Sequence, residues 1–496
     1  MKYISTRDKN NEVSAAHAIA YGISREGGLF VPADLPTLTE ARLKELSAKS
    51  YVERALDILL DFLNDFSTEE LQECVDAAYS TNFAHEKIAP VVPLGDTVRL
   101  LELWHGPTCA FKDMALQLLP HILTRSVKKT IGEKHTAILV ATSGDTGKAA
   151  LDGFADVPGA SIIVFYPHGG VSEVQYLQMA TQSGGNVGVC AVHGNFDDTQ
   201  TAVKKIFTDH AMNSLLSKRD MMFSSANSIN WGRLVPQIVY YISAYCDMVI
   251  SGDITMGDRV NVCVPTGNFG NILAAYYAKH MGLPLDKLIC ASNINNVLTD
   301  FINTGVYDRR REFVLTSSPS MDILISSNLE RLLFDLCDKD DKLICGLMNS
   351  LSQEGMYSIS DNARKKLQSE FVGDYCDEEN TKRTIRKCLD KYNYLCDTHT
   401  AVAVGVHDRY MQKTGDKTKT IIASTANPYK FAASILPIFE RSENGASEFE
   451  HIRRLEDISG MKAPSQLTAL ESCNVRFSEI CEQSEMDQVI LKILEI

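Results

Sequence analysis

Apolar residues recur along this chain with two different periods, and the change between them falls near residue 96. In the first part, apolar positions are spaced three or four residues apart over 43–63 and 68–79. This spacing predicts helices that each bury one face. We therefore expect a mostly helical N-terminal module over residues 1–95.

Beyond residue 96, short apolar runs alternate with segments of helical spacing. The runs predicted as strands cover 136–141, 161–166, 187–192, 259–264, 288–292 and 418–423. The longest helix between them is predicted over 197–217. A repeated strand–helix–strand order indicates parallel sheets with helices on both faces. We expect two α/β domains, over 96–255 and 256–440.

Two regions interrupt this alternation. Residues 305–395 are rich in charge and in helical spacing, as in the run CDEENTKRTIRKCLDKYNY. We predict that they form a solvated helical insertion within the second α/β domain. Residues 441–496 are acidic and mix helical spacing with turns, so we treat them as a C-terminal tail.

Composition is that of an ordinary globular protein, with 45% apolar and 23% charged residues among 496. The chain carries 49 Lys and Arg against 63 Asp and Glu, a net charge of −14. This balance does not suit a general nucleic-acid binder, although a local cluster of donors can still hold an anion. The longest apolar segment, 234–245, is too short to span a membrane. We expect neither nucleic acid nor membrane as a partner.

The 13 cysteines are scattered, with no CxxC and no metal-ligand spacing. Several lie in apolar runs, as Cys263 and Cys290 do, so we expect reduced thiols and no metal site. The N-terminal segment MKYISTRDKNNE is charged and has no apolar signal core. We therefore expect a cytoplasmic protein, and we expect a monomer or a homodimer.

One lysine lies in an unusual local setting. In WHGPTCAFKDMALQ, Lys112 stands between Phe111 and Asp113, after a Gly-Pro turn and at the start of an apolar helical run that Thr108 can cap. The helix dipole and the apolar neighbours both disfavour an ammonium group there. Both effects lower the pKa of the amine, as the attack on a carbonyl requires. The alternative is an ordinary surface lysine.

Ligands bind beyond the carboxyl ends of strands in open parallel sheets, and the loop PTGNFGN is of this kind. Gly267 and Gly270 permit a tight turn. The N–H groups from Gly267 to Asn271 can then converge on one anion at the positive end of the next helix. A Gly-Asn turn without a ligand is the alternative.

A second such loop, ATSGDTG, follows the strand predicted at 136–141. Its backbone N–H groups can hold a carboxylate, together with the hydroxyls of Thr142, Ser143 and Thr146. The alternative is a tight turn in which Asp145 or Thr146 caps the following helix. The two roles are compatible.

The segment NSINWGRLVPQ offers a second grip on an anion. Arg233 presents a planar fork suited to phosphate, and Ser228 and Asn230 add neutral donors. The alternative is a helix start whose arginine pairs with a surface acid. In GNFDDTQ we expect Asn195, Asp197 and Asp198 to cap a helix.

Motifs spread over nearly the whole chain resemble threonine synthases, which depend on pyridoxal phosphate. HGPTCAFKD is similar to the lysine motif of that family, HGPT-x-AFKD, with Cys109 in the variable place. The other motifs occur in the family's order. They are YISTRD, GGLFVP, ATSGDTG, GNFDDTQ, NSINWGRLVPQ, PTGNFGN and STANPYKF.

The resemblance implies an α/β protein of pyridoxal-phosphate fold type II in which Lys112 is catalytic and forms a Schiff base with the cofactor. The implied cofactor-binding residues are Lys112, Gly267, Asn268, Phe269, Gly270, Asn271 and Thr425. The implied substrate-binding residues are Thr142, Ser143, Asp145, Thr146, Ser228, Asn230 and Arg233. Thr425 would face the pyridine nitrogen, and a neutral hydroxyl there leaves more of the stabilisation to other protein donors.

The implied activity is that of a threonine synthase, which converts O-phospho-L-homoserine and water to L-threonine and phosphate in the last step of threonine biosynthesis. One alternative uses the same site as a phospho-lyase and releases 2-oxobutyrate, ammonia and phosphate from O-phosphohomoserine or O-phosphothreonine. Another is an interaction protein without catalysis on the same scaffold. The motifs do not separate the first two.

Four positions depart from the family pattern. Asp145 stands where the related fold usually has an Asn that contacts the ring hydroxyl. STANPYKF replaces the usual TAHPAKF, so Asn427 takes the place of His and Tyr429 that of Ala. Thr398 replaces the Pro of the usual DPHTAV.

Overall fold

The computed structural model describes residues 1–142, 144–441 and 445–496. Within these residues, the strands form sheets of six, five, three and two strands. Both larger sheets are mainly parallel and are flanked by helices, as the alternating pattern predicts. No helix among the described residues combines the length and the apolar character needed to cross a bilayer.

The N-terminal part contains four helices and a small antiparallel sheet of order β2–β1–β3. Its elements are β1 (Tyr3–Ser5), β2 (Asp8–Val13), α1 (Ala15–Tyr21), β3 (Phe30–Pro32), α2 (Glu40–Ser47), α3 (Tyr51–Phe62) and α4 (Thr68–Tyr79). The helical segment expected over 43–63 is divided, because the Ser50 side chain accepts from Glu53 N–H and begins α3 with a capping box. Strands of three residues are too short to reveal a period of two, and the sequence did not predict them.

The next part supplies most of the five-stranded sheet. Its elements are β4 (Val91–Leu94), β5 (Val98–Glu102), α5 (Asp113–Leu116), α6 (Leu119–Thr130), β6 (His135–Ala141), α7 (Asp145–Phe154), β7 (Ala160–Pro167), α8 (Glu173–Ala180), β8 (Val187–Val192), α9 (Phe196–Thr208), α10 (His210–Ser217), β9 (Met221–Ser224) and α11 (Trp231–Ile250). Asn195 caps α9 and Asp198 completes a capping box with it, as predicted, whereas the Asp197 side chain lies outside the described part of the chain. The single helix expected over 197–217 is wrong, because Asp209 adopts an extended conformation and caps α10.

The six-stranded sheet takes its other strands from the remainder of the chain. Its elements begin with β10 (Val260–Pro265), α12 (Gly270–Met281), β11 (Leu285–Ser292), α13 (Val297–Thr304), β12 (Val306–Asp308), α14 (Leu329–Leu336), α15 (Asp341–Gln353), β13 (Met356–Ser358), α16 (Asp361–Glu370) and β14 (Phe371–Tyr375). They continue with α17 (Glu378–Tyr392), α18 (Thr398–Thr414), β15 (Thr420–Ser424), α19 (Ala432–Phe439), α20 (Glu448–Ser459), α21 (Ser465–Thr468), β16 (Ile480–Cys481) and α22 (Met486–Leu494).

Strand order explains how distant segments meet. The six-stranded sheet runs β14–β11–β10–β15–β5–β4, and only β4 is antiparallel to its neighbour. The five-stranded sheet runs β16–β8–β7–β6–β9, all parallel. Strands β5 and β15 pair in parallel, so the loops that follow them lie side by side at the carboxyl ends of the strands. These loops carry Lys112 and Thr425. The predicted domain boundaries stay a prediction.

Residues 305–395 differ from the solvated helical insertion that their charge suggested. Strand β14 pairs with β11 in the six-stranded sheet, and Leu333 and Phe334 of α14 are fully buried. The charged residues that dominate the composition lie mainly on the outer faces of α15, α16 and α17. Composition averaged over the segment therefore concealed its buried side.

Candidate active site

Lys112 lies just before α5, in the loop that follows β5. Its side chain is buried, and its Nζ donates to Ser320 Oγ at 3.0 Å and lies 3.6 Å from Asp145 Oδ2. Burial lowers the pKa of this amine; the Asp145 charge opposes the shift, whereas Lys430 and Arg233 reinforce it. The structure thus excludes the surface lysine that was the alternative, and a lowered pKa favours the role of a nucleophile or a base for this amine.

Thr108 does not cap α5, contrary to the expectation. Cys109 has a φ of 57°, and this left-handed residue turns the chain before the helix begins. As a result Thr108 is the donor: its N–H and hydroxyl bind the Asp113 carboxylate at 2.8 and 2.6 Å. Burial raises the pKa of Asp113 to about 6, although the bonds from Thr108 oppose the shift.

Asp145 lies between two lysines at the start of α7. Its Oδ1 is 2.9 Å from Lys430 Nζ and accepts from Gln175 Nε2 at 3.2 Å. Lys430 is completely buried and also donates to Thr108 O at 2.8 Å. Burial alone would raise the pKa of Asp145, but Lys430 and Lys112 outweigh it and hold the pKa below its usual value. Asp145 is therefore ionised, and it compensates the positive charge around Lys112.

The rest of the ATSGDTG loop does not show the cap that was the alternative, because Gly144 is the N-cap of α7 and neither Asp145 nor Thr146 makes a side-chain cap bond. Thr142 Oγ1 accepts from the N–H groups of Gly144 and Gly147, each at 3.0 Å. Thr146 is half-buried on the first turn of α7. Ser143 lies outside the described residues. Contact of these hydroxyls with a substrate stays a prediction.

The loop PTGNFGN forms a turn with unused donors at the start of α12. The N–H groups of Gly267, Asn268 and Phe269 donate to no group within the described chain. Phe269 has a left-handed φ of 65°, which is uncommon outside glycine and costs conformational energy. The Asn271 side chain accepts from Tyr241 OH, while its buried Nδ2 has no partner among the described residues. Free donors at a helix start are suited to an anion.

The segment 320–328 packs against this loop and donates hydrogen bonds to its carbonyl groups. Ser326 Oγ donates to Gly267 O, and Asn328 donates to Asn268 O through its N–H at 3.2 Å and its Nδ2 at 3.1 Å. A Cβ atom on Gly267 would lie 2.5 Å from Ser320 O. Glycine is therefore required at Gly267 by close approach of another backbone.

Arg233 is buried on the first turn of α11. Its Nη1 donates to Ala226 O at 2.6 Å, its buried Nε has no partner among the described residues, and no described carboxylate pairs with it. Burial lowers the pKa of this guanidinium to about 10. The alternative of an arginine paired with a surface acid is therefore wrong. A buried, uncompensated guanidinium is suited to bind a phosphate or carboxylate ligand.

The two neutral donors expected beside Arg233 differ in their availability. Asn230 Oδ1 accepts from Gly232 N at 2.8 Å and caps α11, while its Nδ2 donates to Ile19 O at 2.9 Å. These bonds give Asn230 a structural role. Ser228 is half-buried, and its hydroxyl makes a long bond of 3.4 Å to Asn227 Oδ1. Contact of Ser228 or Asn230 with a substrate stays a prediction.

Thr425 follows β15 and is held against the lysine loop. Its carbonyl accepts from Phe111 N at 2.8 Å, directly before Lys112 in the chain. Asn427, one of the departures noted above, accepts from Tyr429 N at 3.1 Å and donates through its N–H to Cys109 O at 3.0 Å. Asn427 thus stabilises the turn that presents both Thr425 and Lys430.

Comparison with known proteins identifies the family of this chain. Residues 2–79 match the family model described as threonine synthase N terminus. Over 464 residues the chain is 35% identical to threonine synthase of Schizosaccharomyces pombe, with 88% of each protein covered. The chain belongs to the threonine synthase family.

The fold is that of solved threonine synthases, which confirms the expected fold type II. A structure described as PLP-bound threonine synthase from Brucella melitensis superposes with a TM-score of 0.89 at 35% identity, covering 99% of both chains. Threonine synthase from yeast gives 0.89 at 32% identity, covering 100% of this chain and 98% of that one. A human relative named threonine synthase-like 1 is 45% identical over 467 residues. The chain spans 62% of the length of that relative.

This family member contains functional candidates that the sequence did not single out. Ser320 contacts the amine of Lys112, and Lys430 holds Asp145. A buried pair, Asp397 and His399, binds Ser320 from the other side. Lys430 lies within STANPYKF, and Asp397 and His399 lie within the DTHTAV segment, but the sequence assigned no role to these three residues. Ser320 had no comparable signal, because serine in a charged, irregular segment is unremarkable by itself.

Proposed function

We propose that this protein is a pyridoxal-phosphate-dependent threonine synthase, which converts O-phospho-L-homoserine and water to L-threonine and phosphate. The observation that carries the proposal is that the uncompensated guanidinium of Arg233 is close enough to lower the pKa of the buried Lys112 amine. A nucleophilic amine and an unused cationic fork in one region fit a substrate that carries a phosphate.

The residues present also fit the cofactor. The unused N–H groups of Gly267, Asn268 and Phe269 and the free Nδ2 of Asn271 would hold its phosphate. Lys112 would bind its carbonyl carbon, and Thr425 would stand near the ring nitrogen. When bound, pyridoxal phosphate supplies an electron sink that makes protons on the substrate's Cα and Cβ removable.

The protein's own groups would then move protons and hold the phosphate. Lys112 would take the proton from Cα and return it, with Asp145 balancing the charge of the resulting ammonium. Arg233 would hold the departing phosphate beside the reacting carbons. Because that phosphate stays close, it could itself take a proton from the water that adds at Cβ, a proximity effect worth several kcal/mol.

A phospho-lyase is the second candidate. Identity to relatives named threonine synthase-like 1, at 45%, exceeds the 35% identity to threonine synthase of S. pombe. A lyase would use the same groups up to the loss of phosphate and would then release 2-oxobutyrate and ammonia. The two candidates differ in whether water adds before release.

A product assay separates them. The purified protein, loaded with pyridoxal phosphate, receives O-phospho-L-homoserine, and threonine, 2-oxobutyrate and phosphate are quantified. We expect threonine and phosphate in equal amounts. Predominant 2-oxobutyrate would replace the synthase by the lyase, and a protein that neither absorbs visible light after loading nor turns over would support a scaffold without catalysis.

The role of Lys112 as the residue that binds the cofactor covalently is tested in the same assay. Lys112→Ala should lose both the visible absorption of the bound cofactor and all turnover. Lys148→Ala is the matched control, since Lys148 also lies in the ATSGDTG region but pairs with Asp152 at 3.3 Å. Retention of a borohydride-trapped cofactor adduct in Lys112→Ala would move the anchor to another lysine.

A further inference from the structure

Ser320 makes the shorter of the two polar contacts to the amine of Lys112 within the described residues, with 3.0 Å between Oγ and Nζ. It comes from a short turn, Pro319–Met321, 208 residues further along the chain. We propose that Ser320 is a catalytic partner of Lys112 that stabilises its ammonium form during proton transfer, and that His399 and Asp397 are positioning residues that hold Ser320 there. This inference rests on the proposed function of Lys112.

The hydrogen bonds define the positioning pair. Ser320 N–H donates to His399 Nε2 at 3.1 Å, so this ring nitrogen must be unprotonated. The proton of the neutral ring is then on Nδ1, which donates to Asp397 Oδ1 at 2.9 Å. Both side chains are buried, with 3% and 0% exposure. Asp397 also accepts from the hydroxyl of Thr400. The pair therefore fixes one tautomer and one position of the Ser320 backbone.

The same turn is fixed on two more sides. Thr398 Oγ1 donates to Ser317 O at 2.7 Å, a contact that the proline usual at this position in the family cannot make. The carbonyl of Ser320 packs against Gly267, where an added Cβ would lie at 2.5 Å. Ser320 therefore lies at the junction of the lysine and the loop proposed to hold the cofactor phosphate.

The charged groups around Lys112 come from three elements. Asp145 lies on α7, Arg233 on α11, and Lys430 on the turn 428–431. His399 on α18 and Asp397 at its N-cap connect to Lys112 through Ser320. Asp145 lies at 3.6 Å and is already engaged by Lys430 and Gln175. The hydroxyl of Ser320 is thus the neutral acceptor best placed to receive an N–H from the amine.

This placement has a defined role in the proton cycle. The neutral amine takes a proton from the substrate's Cα and becomes an ammonium group, which later returns the proton to carbon. Ser320 Oγ accepts a hydrogen bond from that ammonium throughout and neither gains nor loses a proton itself. Without the hydroxyl, the ammonium form is less stable, so the pKa of Lys112 falls and its ability to take the proton from carbon falls with it.

Two measurements move in opposite directions under this proposal. In the full-length protein before cofactor is added, reductive methylation with formaldehyde and cyanoborohydride is followed across pH on the Lys112 peptide by mass spectrometry. Ser320→Ala should lower the midpoint by about one pH unit, so that labelling near neutral pH becomes faster. In the loaded enzyme in deuterium oxide, exchange of the α-hydrogen of L-threonine should slow about tenfold.

Conservative and matched variants complete the design. Ser320→Thr keeps the hydroxyl and should behave like the wild type. His399→Gln keeps an acceptor for Ser320 N–H and should have little effect, whereas His399→Leu should reproduce the changes of Ser320→Ala in weaker form. Ser317→Ala removes a hydroxyl of the same segment whose partner is Glu378 at 3.1 Å, and it should change neither measurement.

The outcomes are decisive. Slower labelling together with slower exchange would indicate general damage to the site and would overturn the proposal, as would two unchanged measurements. Should Ser320→Ala fail to fold, Ser320→Cys can take its place, because sulfur is a weaker hydrogen-bond acceptor than oxygen. We then again expect faster labelling near neutral pH and slower exchange of the α-hydrogen. The labelling needs neither cofactor nor substrate, so it tests Ser320 even if the product assay shows that the enzyme is a lyase.

Discussion

Two buried arginines show how differently this fold uses the same side chain. Arg331 on α14 is fully buried, and its three nitrogens donate to Phe30 O, Asn328 Oδ1 and Ile229 O. Arg233 on α11 is 4% exposed, but it has one backbone partner and an unpartnered Nε. Burial lowers the pKa of both guanidinium groups to about 10.

The two arginines are similarly buried and differ in how many of their N–H donors have a hydrogen-bond partner. A buried donor without a partner costs free energy, and a fold retains it where a ligand supplies the partner. Arg331 therefore serves the structure, whereas the unpartnered Nε of Arg233 supports our proposal that this side chain binds an anion. The two are also connected, because Arg331 binds Ile229 just before the helix that carries Arg233, and Asn328 beside the loop at Gly267. The structural arginine thus helps to position both proposed anion sites.

The largest expected effect tests Arg233. Arg233→Met should lower kcat/KM for O-phospho-L-homoserine about a thousandfold, or about 4 kcal/mol. Its free energy of unfolding should change by less than about 1 kcal/mol, since one backbone bond and an unsatisfied donor are lost together. Steady-state kinetics and urea unfolding check both quantities. A large loss of stability would break the distinction between the two arginines.

The structural arginine should give the opposite result. Arg331→Met leaves three acceptors without a donor, so the free energy of unfolding should fall by about 3 kcal/mol. At a temperature where the variant is folded, its kcat/KM should fall less than that of Arg233→Met. Urea unfolding and kinetics on the same preparation measure this. If Arg331→Met has the same free energy of unfolding as the wild type, the three hydrogen bonds of Arg331 do not stabilise the fold, and the proposed difference between the two arginines is wrong.

Two buried carboxylates extend the contrast to stability against pH. Burial raises the pKa of Asp113 to about 6. This group therefore stabilises the fold below the unfolded pKa, and about 2 kcal/mol is lost as the pH rises from about 4 to about 6. The lysines lower the pKa of Asp145, so its contribution is present above the unfolded pKa and is lost as the pH falls. Stability differences between the wild type and Asp113→Asn or Asp145→Asn should therefore have opposite slopes against pH. Slopes of the same sign would contradict the charge assignment.

The smallest effect separates charge from shape at Arg233. Arg233→Lys keeps the charge but lacks the planar fork, so kcat/KM should fall about tenfold, or about 1.4 kcal/mol. The loss should appear in kcat as well as in KM, because the fork would hold phosphate after its departure. A loss confined to KM would limit Arg233 to binding the substrate.

Six strands of the two larger sheets and many of the helices could be predicted from the sequence, because apolar periodicity is a local signal, whereas β5, β9 and β14 were not predicted. The run at 187–192 coincides with β8, and the loop PTGNFGN lies between β10 and α12 as expected. The setting of Lys112 was visible too, since an aromatic, an acid and a helix start lie within a few residues. Errors arose where a single capping residue such as Asp209 divided a continuous helical pattern, and where Cys109 turned the chain before a helix.

Tertiary structure alone decided which groups surround that lysine. Ser320 and Lys430 reach the site from 208 and more than 300 residues away, respectively. Hydrophobic periodicity reports only on neighbouring residues, so it cannot predict such contacts. The pairing of β5 with β15 brings the loop of Lys112 beside that of Thr425. Whether a buried arginine is satisfied also depends on carbonyl groups from other elements. The sequence by itself determined the main α/β elements and the unusual local setting of Lys112, because both depend on neighbouring residues; long-range packing determined the charges and the hydrogen bonds around its amine.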